Sequence, residues 1–292
     1  MGLDYVRLFM EGSERTGSPL SVLSVCFLGI ARIAPIITLS PFFGARIMPT
    51  AAKIGLAICF LSMILPKMVF TMTTAIPFNE TMLLLFCKEI LIGAVLGFFS
   101  GLPFLIVSSS GVLIDHQRGA ASLMTNDPTI QNQSSPIGTL YNFLLITIFY
   151  AMDGPFYIIQ ALFESYDILP YDKFAWPAFL YEQSFIHDKI VKCLQIFVAL
   201  TLQLCAPPII AILMTDTFLG VINRLAPQVQ ITFLGMGLKS WLAILMVCIG
   251  LYPFVDQLHK QIIKWLIEFH DIVLALGQKG PGDIVPSVLP EL

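Results

Sequence analysis

The sequence is poor in charged residues. Asp, Glu, Lys and Arg make up 12% of the 292 residues, whereas soluble domains carry about 25%. With 57% hydrophobic residues, so few charges cannot cover the surface of a water-soluble body of this length. Disorder is excluded for most of the chain, because disordered segments need low hydrophobicity. The composition therefore predicts a surface that faces lipid or other apolar protein.

Basic clusters, paired cysteines and catalytic motifs are also missing. The net charge is −3 and no Lys/Arg cluster occurs, so we expect no nucleic-acid partner. The six cysteines lie singly inside apolar runs, which indicates packing residues and neither a disulfide framework nor a zinc site. The four histidines are scattered, and the common hydrolase and phosphate-binding motifs do not occur. We predict no enzyme activity, no cofactor and no metal site.

Long apolar runs dominate the sequence instead. A bilayer-spanning helix needs about 20 mostly apolar residues, and six blocks meet that length: Ser18–Pro41, Ala51–Ile76, Thr81–Ile114, Pro136–Leu162, Lys189–Leu219 and Val229–Pro253. The residues before the first block lack the basic-then-apolar order of a cleavable signal, so that block is expected to act as an uncleaved insertion signal. The predicted fold class is all-α: a polytopic integral membrane protein of kinked hydrophobic helices and helical hairpins.

Two of these blocks are longer than one span requires. Thr81–Ile114 is either one long helix or a helix broken at Gly101–Pro103. Lys189–Leu219 contains Pro207-Pro208, where the missing backbone donors predict a kink or a break. Broken backbone persists in lipid only where protein or a water-filled cavity satisfies it. The breaks therefore indicate either buried functional bends or ordinary proline-kinked spans.

Charge bias in the connections gives no clean topology. Arg46 and Lys53 favour a cytoplasmic side for the first connection, and Arg7 and Arg15 favour the same side for the N-terminus. One crossing cannot satisfy both preferences. Either the bias is weak or the helices are not simple spans.

Composition divides the chain into three segments. Residues 1–253 form a hydrophobic helical domain. Residues 254–276 read as an amphipathic helix, because apolar residues recur there at helical spacing, and this helix could lie on the membrane or on a partner. Residues 277–292 read as a flexible tail.

Charged residues inside the apolar blocks stand out: Arg32, Lys88, Glu89, Asp153, Asp216 and Lys239. Each costs about 2.5–3.5 kcal/mol at mid-helix on insertion scales, so each needs a partner or water. The neighbours Lys88 and Glu89 point about 100° apart on a helix, so we expect them to pair across helices and not with each other. The result is either an ion pair that fixes the assembly or part of an ion pathway. Gly93 and Gly97 form a G-x-x-x-G step that permits close helix contact.

These residues belong to an ordered series of motifs. The series runs from Arg32 with spaced prolines through Lys88-Glu89-x-x-x-Gly93-x-x-x-Gly97, Gly111-x-x-Ile114-Asp115-x-Gln117-x-Gly119 and Asp216-x-x-x-Gly220-x-Ile222-Asn223-Arg224-x-Ala226-Pro227-Gln228 to Lys239. In their order and spacing they resemble the FliR/SctT (YscT/SpaR/EscT-like) family, the T-type export-apparatus subunits of type III secretion systems. Two departures stand against the pattern: Pro155 where a histidine is frequent, and Val229-Gln230-Ile231 after the Pro-Gln pair.

The resemblance implies a core subunit of an inner-membrane export gate within a secretion-system basal body. One T-type subunit would join R-type and S-type subunits in a cone-like helical assembly around a conduit for unfolded polypeptides, with the U-type switch and V-type export-gate proteins as further partners. The resemblance also supplies candidate gate and assembly residues, with the polar segments Asp115–Ser135 and Asn223–Gln228 placed at the lumen or its closure. These residues are Arg32, Lys88, Glu89, Gly93, Gly97, Asp115, Gln117, Gly119, Asp216, Asn223, Arg224, Pro227, Gln228 and Lys239.

Two other functions stay open at this point. The long stretch past Lys239 favours the injectisome branch, and a flagellar export-apparatus subunit of the same family is the alternative. A small-solute secondary transporter is less favoured, because such a protein would show matched broken helices in two halves.

Overall fold

The computed structural model describes residues 10, 19–44, 48–71, 79–119, 135–172, 183–225 and 231–277. Regular structure within these ranges is helical throughout. The helices in chain order are α1 Pro19–Leu39, α2 Thr50–Thr71, α3 Glu80–Gln117, α4 Pro136–Ala151, α5 Gly154–Ile168, α6 Gln183–Leu225 and α7 Ile231–Gly277. A short 3₁₀ turn, Pro41–Phe43, follows α1.

The helices match the predicted apolar blocks. Among the described residues, five helices are long and apolar enough to cross a membrane, and the pair α4–α5 raises the number to six if it counts as one span. The prediction of an all-α polytopic membrane protein is confirmed.

The fourth block is not a straight span. Helices α4 and α5 meet at a bend of 72°, and Asp153 between them has φ 55°. Only a small minority of residues other than glycine adopt such a left-handed conformation, and Asp is among those that tolerate it. Gly154 and Pro155 then begin α5, because proline fits the first turn of a helix. No pattern in the sequence predicted this bend.

Proline does not interrupt the long helices. Helix α3 continues through Pro103, and α6 continues through Pro207 and Pro208. For Thr81–Ile114 the structure therefore shows the first alternative, one long helix, and at Pro207-Pro208 the helix does not break. Membrane-type helices tolerate proline where neighbouring groups satisfy the freed carbonyl. Helix α7 likewise continues through Pro253, so residues 254–276 form its second half.

The chain divides into two compact units. The first unit comprises Met1–Gly101, Pro155–Asp188 and Leu266–Leu292, and its core includes Val25, Leu28, Ile33, Ile92 and Leu96. The second unit comprises Leu102–Gly154 and Lys189–Trp265, and its core includes Phe104, Leu145, Phe149, Ile212 and Ala243.

Large apolar surfaces remain exposed on α6 and on the first half of α7. On α6, Met214 is 68% exposed and Phe218 62%; on α7, Ile249 is 67% exposed and Tyr252 87%. From Leu213 to the end of α6 no residue is buried. Soluble monomers rarely expose apolar faces of this extent, so lipid or another hydrophobic protein must cover them.

Candidate functional site

Arg32 on α1 is buried in the first unit and pairs with Glu89 on α3. Its Nε and Nη2 donate to the two carboxylate oxygens at 2.6 and 2.9 Å, and neither side chain is exposed. The expected pairing of Glu89 across helices is confirmed. Lys88 Nζ nevertheless lies 3.2 Å from Glu89 as well. The expectation that these neighbours would not pair is wrong, because the long flexible stem of lysine lets the ammonium reach back toward the adjacent residue.

Arg32 and Lys88 also donate hydrogen bonds to backbone carbonyls at the C-terminal end of α5. Arg32 Nη1 donates to the carbonyl and the hydroxyl of Ser165 at 2.8 and 3.1 Å, and Nη2 donates to the Leu169 carbonyl at 2.9 Å. Lys88 Nζ donates to the Pro170 carbonyl at 2.9 Å. The last carbonyls of a helix have no partner within the helix, and the partial negative charge at that end favours cations. Arg32 and Lys88 together therefore cap α5.

Further contacts fasten the end of α5 to α1 and α2. The Tyr166 hydroxyl donates to the Gly29 carbonyl at 3.2 Å, and its ring lies under the Arg32 guanidinium, 4.1 Å from centroid to Cζ. The Tyr171 hydroxyl donates to the Met68 carbonyl at 2.6 Å. Burial raises the pKa of Tyr171, so this group stays protonated and keeps its donor.

We name Arg32, Lys88, Glu89 and the end of α5 the capping cluster. The Arg32 guanidinium, the Lys88 ammonium and the Glu89 carboxylate are each hydrogen-bonded or ion-paired. The three side chains are at most 1% exposed. A pathway for ions would need accessible or exchangeable partners. The geometry favours the first of the two alternatives, an ion-paired group that holds helices of this chain together.

The glycines of α3 lie directly against α1. A Cβ on Gly93 would collide with the Arg32 carbonyl oxygen and lie 3.0 Å from the Arg32 Cα; one on Gly97 would lie 2.9 Å from the Pro35 carbonyl oxygen. One turn further on, the hydroxyls of Ser40 and Ser100 are 2.7 Å apart. The predicted close helix contact is confirmed, and its partner is α1 of the same chain.

Asp115, in the second unit, ties the end of α3 to the start of α4. Its carboxylate accepts hydrogen bonds from the Ser135 hydroxyl and from the Ile137 N–H, the latter at 3.0 Å, and pairs with Arg118 at 2.6 Å. Ser135 caps α4 by accepting from the Gly138 N–H at 2.9 Å. Asp115 is 4% exposed. We name this arrangement the α3–α4 tie.

Two other predicted residues lie beside the tie. Gln117 is exposed on the last turn of α3. Gly119 follows that helix with φ 88°, a conformation that glycine adopts without strain, and its N–H donates to the His116 carbonyl at 3.1 Å.

Asp216 and Lys239 form an ion pair between α6 and α7. Their side chains are 38% and 24% exposed on helices whose other exposed residues are mainly apolar. Near this pair, a Cβ on Gly235 would lie 2.9 Å from Leu219 Cδ1. The expectation that these two charges need partners is confirmed, and each is the other's partner.

The remaining candidates do not join these groups. Asn223 and Arg224 are exposed at the end of α6, while Pro227 and Gln228 lie outside the described residues. The predicted residues thus separate into the capping cluster, the glycine step, the α3–α4 tie and the Asp216–Lys239 pair. Ser165, Leu169 and Pro170 were not predicted, because they contribute mainly backbone carbonyls, and a carbonyl that accepts from a distant arginine or lysine has no signature in the sequence.

Comparison with known proteins places these features in a family. The model of the bacterial export proteins, family 1, matches residues 23–264. The chain belongs to this family of bacterial export proteins. All the groups described above, from the capping cluster to the Asp216–Lys239 pair, lie within the matched residues.

Individual members of the export family show the same relationship. The chain is 34% identical over 185 residues to the Yop proteins translocation protein T of Yersinia pestis, covering 63% of this chain and 69% of the relative. It is 28% identical over 219 residues to the surface presentation of antigens protein SpaR of Shigella flexneri (75% and 81%). It is 27% identical over 262 residues to the flagellar biosynthetic protein FliR of Escherichia coli K12 (85% and 94%).

Proposed function

We propose that this chain is the T-type core subunit of the inner-membrane export gate of a type III secretion system, with a structural and not a catalytic role. The match to the bacterial export family over residues 23–264 is the observation that carries the proposal. Relatives named for protein translocation and for flagellar biosynthesis support it. A solute transporter is no longer needed to explain the apolar helices.

The exposed apolar faces support assembly with hydrophobic partner subunits. Leu213, Met214 and Phe218 on α6 and Trp241 on α7 are each at least half exposed, and the partly exposed Asp216–Lys239 pair lies on the same two helices. Lipid covers apolar side chains well but solvates an ion pair poorly. A partner protein with polar groups opposite the pair would satisfy both. We assign this surface to R-type and S-type subunits, with the U-type and V-type proteins as further partners.

Within such an assembly the polar segments 115–135 and 223–228 are our candidates for the lining or the closure of the conduit for unfolded polypeptides. Asp115 and Arg118, at the base of the first segment, and Arg224, in the second, are their described charged residues. We place the assembly in the inner membrane, within the basal body of the secretion system.

The injectisome is our first choice of branch, because identity to the Yop translocation protein T is 34% against 27% for FliR. The longer coverage of FliR, 85% of this chain, makes the flagellar export apparatus the second candidate. Complementation separates them: the chain should restore secretion in a strain that lacks its injectisome T-type subunit and should not restore motility in a strain that lacks FliR. The reverse result would favour the flagellar branch.

Co-purification tests the assembly itself. The tagged chain, extracted in mild detergent from cells that also express R-type and S-type subunits, should elute with both. Met214→Arg should abolish co-elution, because Met214 is 68% exposed on the apolar face of α6 and an arginine there would be buried without a partner. Lys264→Ala, on the polar face of α7, is the matched control and should elute as wild type does. Elution of the wild-type chain alone, as a monodisperse particle, would refute the proposal.

A further inference from the structure

The second half of α7 has one buried stripe and one ridge of exposed charged residues. Residues at spacings of three and four are at most 9% exposed: Phe254, Leu258, Ile262, Trp265, Phe269 and Val273. The sequence suggested that the apolar face of this helix binds a membrane or a partner. In the structure, other residues of this chain cover that face.

Specific contacts hold both ends of this half-helix. In the second unit, the rings of Phe254 and Tyr141 stack with centroids 4.2 Å apart. In the first unit, His270 Nδ1 lies 3.3 Å from a Glu164 carboxylate oxygen on α5, and Gln160 donates to the other oxygen of the same carboxylate at 3.0 Å. The residues from 265 onward lie beyond the region that the export-family model matches. The docked end of the helix thus lies outside the matched region.

The ridge opposite the buried stripe is polar. Asp256, Lys260, Lys264 and Asp271 are all exposed there, and Lys260 pairs with Asp256 one turn away at 2.7 Å. Ile267, 42% exposed, lies among these polar residues, and Ile263, 43% exposed, lies beside Asp256 at the edge of the ridge. The first half of α7 is the opposite case, since Trp241, Ile249 and Tyr252 point apolar side chains outward.

The outer face of α7 thus changes from apolar in its first half to charged in its second half, and a similar change is found at the ends of repeat proteins. In repeat proteins each unit buries a hydrophobic face against its neighbour, and the terminal units present a polar outer face that keeps the stack soluble. We propose that the second half of α7 is an end cap. It seals the apolar surface beneath it and prevents a further hydrophobic subunit, including a second copy of this chain, from stacking over that side. The inference rests on the proposed assembly with hydrophobic partner subunits.

The cap is tested by making its outer ridge apolar without touching the buried stripe. The variant carries Lys260→Leu and Lys264→Leu; the matched control carries Lys260→Gln and Lys264→Gln, which removes the same charges but stays polar. Native mass spectrometry of the complex with R-type and S-type subunits should give one mass for wild type and control. The leucine variant should gain at least one subunit, a shift of 32.3 kDa if the addition is a second copy. An unchanged mass for the leucine variant would overturn the cap.

The outcome for the cap is separable from that for the proposed function. If the wild-type chain fails to co-purify with partners, the proposed function fails, and the same three proteins purified alone then test the cap: the leucine variant should self-associate at concentrations where the other two do not. Docking of the helix end is tested directly by Glu164→Cys with His270→Cys in a chain whose six native cysteines are replaced by alanine. Oxidation should cross-link this pair, and should not cross-link Glu164→Cys with Asp271→Cys. Absence of the first cross-link would also overturn the proposal.

Discussion

Single atoms decide the contact between α1 and α3. The hydrogen of Gly93 occupies the place where any larger group would meet the Arg32 backbone. A methyl group on Gly93 would push the α1 backbone away from α3. Because the Arg32 side chain moves with that backbone, its guanidinium would also be displaced from Glu89. A glycine in the middle of a helix lowers its stability by about 1 kcal/mol relative to alanine. At Gly93 close packing outweighs that loss.

The pair Gly93→Ala and Gly55→Ala tests this argument. Gly93→Ala should destabilise the protein, since the added Cβ collides with the Arg32 carbonyl. Gly55→Ala on α2 should leave stability unchanged or raise it by about 1 kcal/mol, because no atom lies within 4 Å of its added Cβ. Thermal unfolding in detergent measures both. Equal melting temperatures for the two variants would contradict the packing contact.

Arg32 shows the same sensitivity through charge. Arg32→Ala leaves the Glu89 carboxylate buried beside Lys88 alone and uncaps α5, and removing one partner of a buried ion pair costs about 3–5 kcal/mol. Glu89→Ala should cost at least as much, because it leaves both Arg32 and Lys88 buried without a carboxylate. Replacing Arg32, Lys88 and Glu89 together by methionine should cost less than Glu89→Ala, because no unpaired buried charge remains. The comparison uses thermal unfolding of all three proteins in the same detergent. A triple variant less stable than Glu89→Ala would mean that the ion pairs themselves supply stability.

At the scale of elements, the start of α4 illustrates how a helix end is satisfied from a distance. Pro136 has no N–H to satisfy, Ile137 donates to Asp115, Gly138 donates to the Ser135 hydroxyl and Thr139 donates to the Ser135 carbonyl. Asp115 also brings a negative charge to the positive end of the helix dipole. One carboxylate thus joins two helices that are separated in the chain by the residues from 118 to 135.

Asp115→Ala should loosen the first turn of α4. Loss of a capping side chain costs about 1–2 kcal/mol, and hydrogen exchange at Ile137 and Gly138 should rise about 5- to 30-fold, since 1.4 kcal/mol is a factor of ten. Gln117→Ala, an exposed neighbour on α3, is the control and should leave exchange unchanged. Similar exchange in both variants would contradict the α3–α4 tie.

The sequence predicted where helices form far better than it predicted where they bend or break. Long apolar runs predicted all the membrane-type helices, because no other local structure satisfies the backbone in lipid. Proline at 103 and at 207–208 left open whether the helices break there, and they do not. The bend occurs instead at Asp153, where one residue in the left-handed region turns the chain. The partners of Arg32 in α5 could not be predicted, since they are mostly carbonyls more than 130 residues away.

On the scale of the whole molecule, the last two helices are longer than one membrane span requires. Helices α6 and α7 contain 43 and 47 residues, or about 65 and 70 Å at 1.5 Å per residue. The hydrocarbon core of a bilayer is about 30 Å thick. Each helix is therefore about twice as long as that core is thick.

Arg224 tests whether the outer end of α6 serves secretion. Arg224→Ala should abolish secretion of a reporter substrate while the protein still folds, because Arg224 is exposed and loses no buried partner. Lys192→Ala, exposed toward the other end of the same helix, is the control and should secrete normally. The assignment of Arg224 fails if secretion and complex yield both stay at wild-type levels.

The unbroken course of α3 has a consequence for how this gene can change length. Within the second unit, Phe104 packs against Phe149 with ring centroids 5.4 Å apart, and Asp115 accepts from Ser135 and Ile137. Phe104 and Asp115 are 115 − 104 = 11 residues apart, and the helix between them has no interruption; at 3.6 residues per turn this is about three turns. Inserting or deleting one codon in that interval would rotate the Asp115 carboxylate by about 100° away from Ser135 while Phe104 kept its place against Phe149.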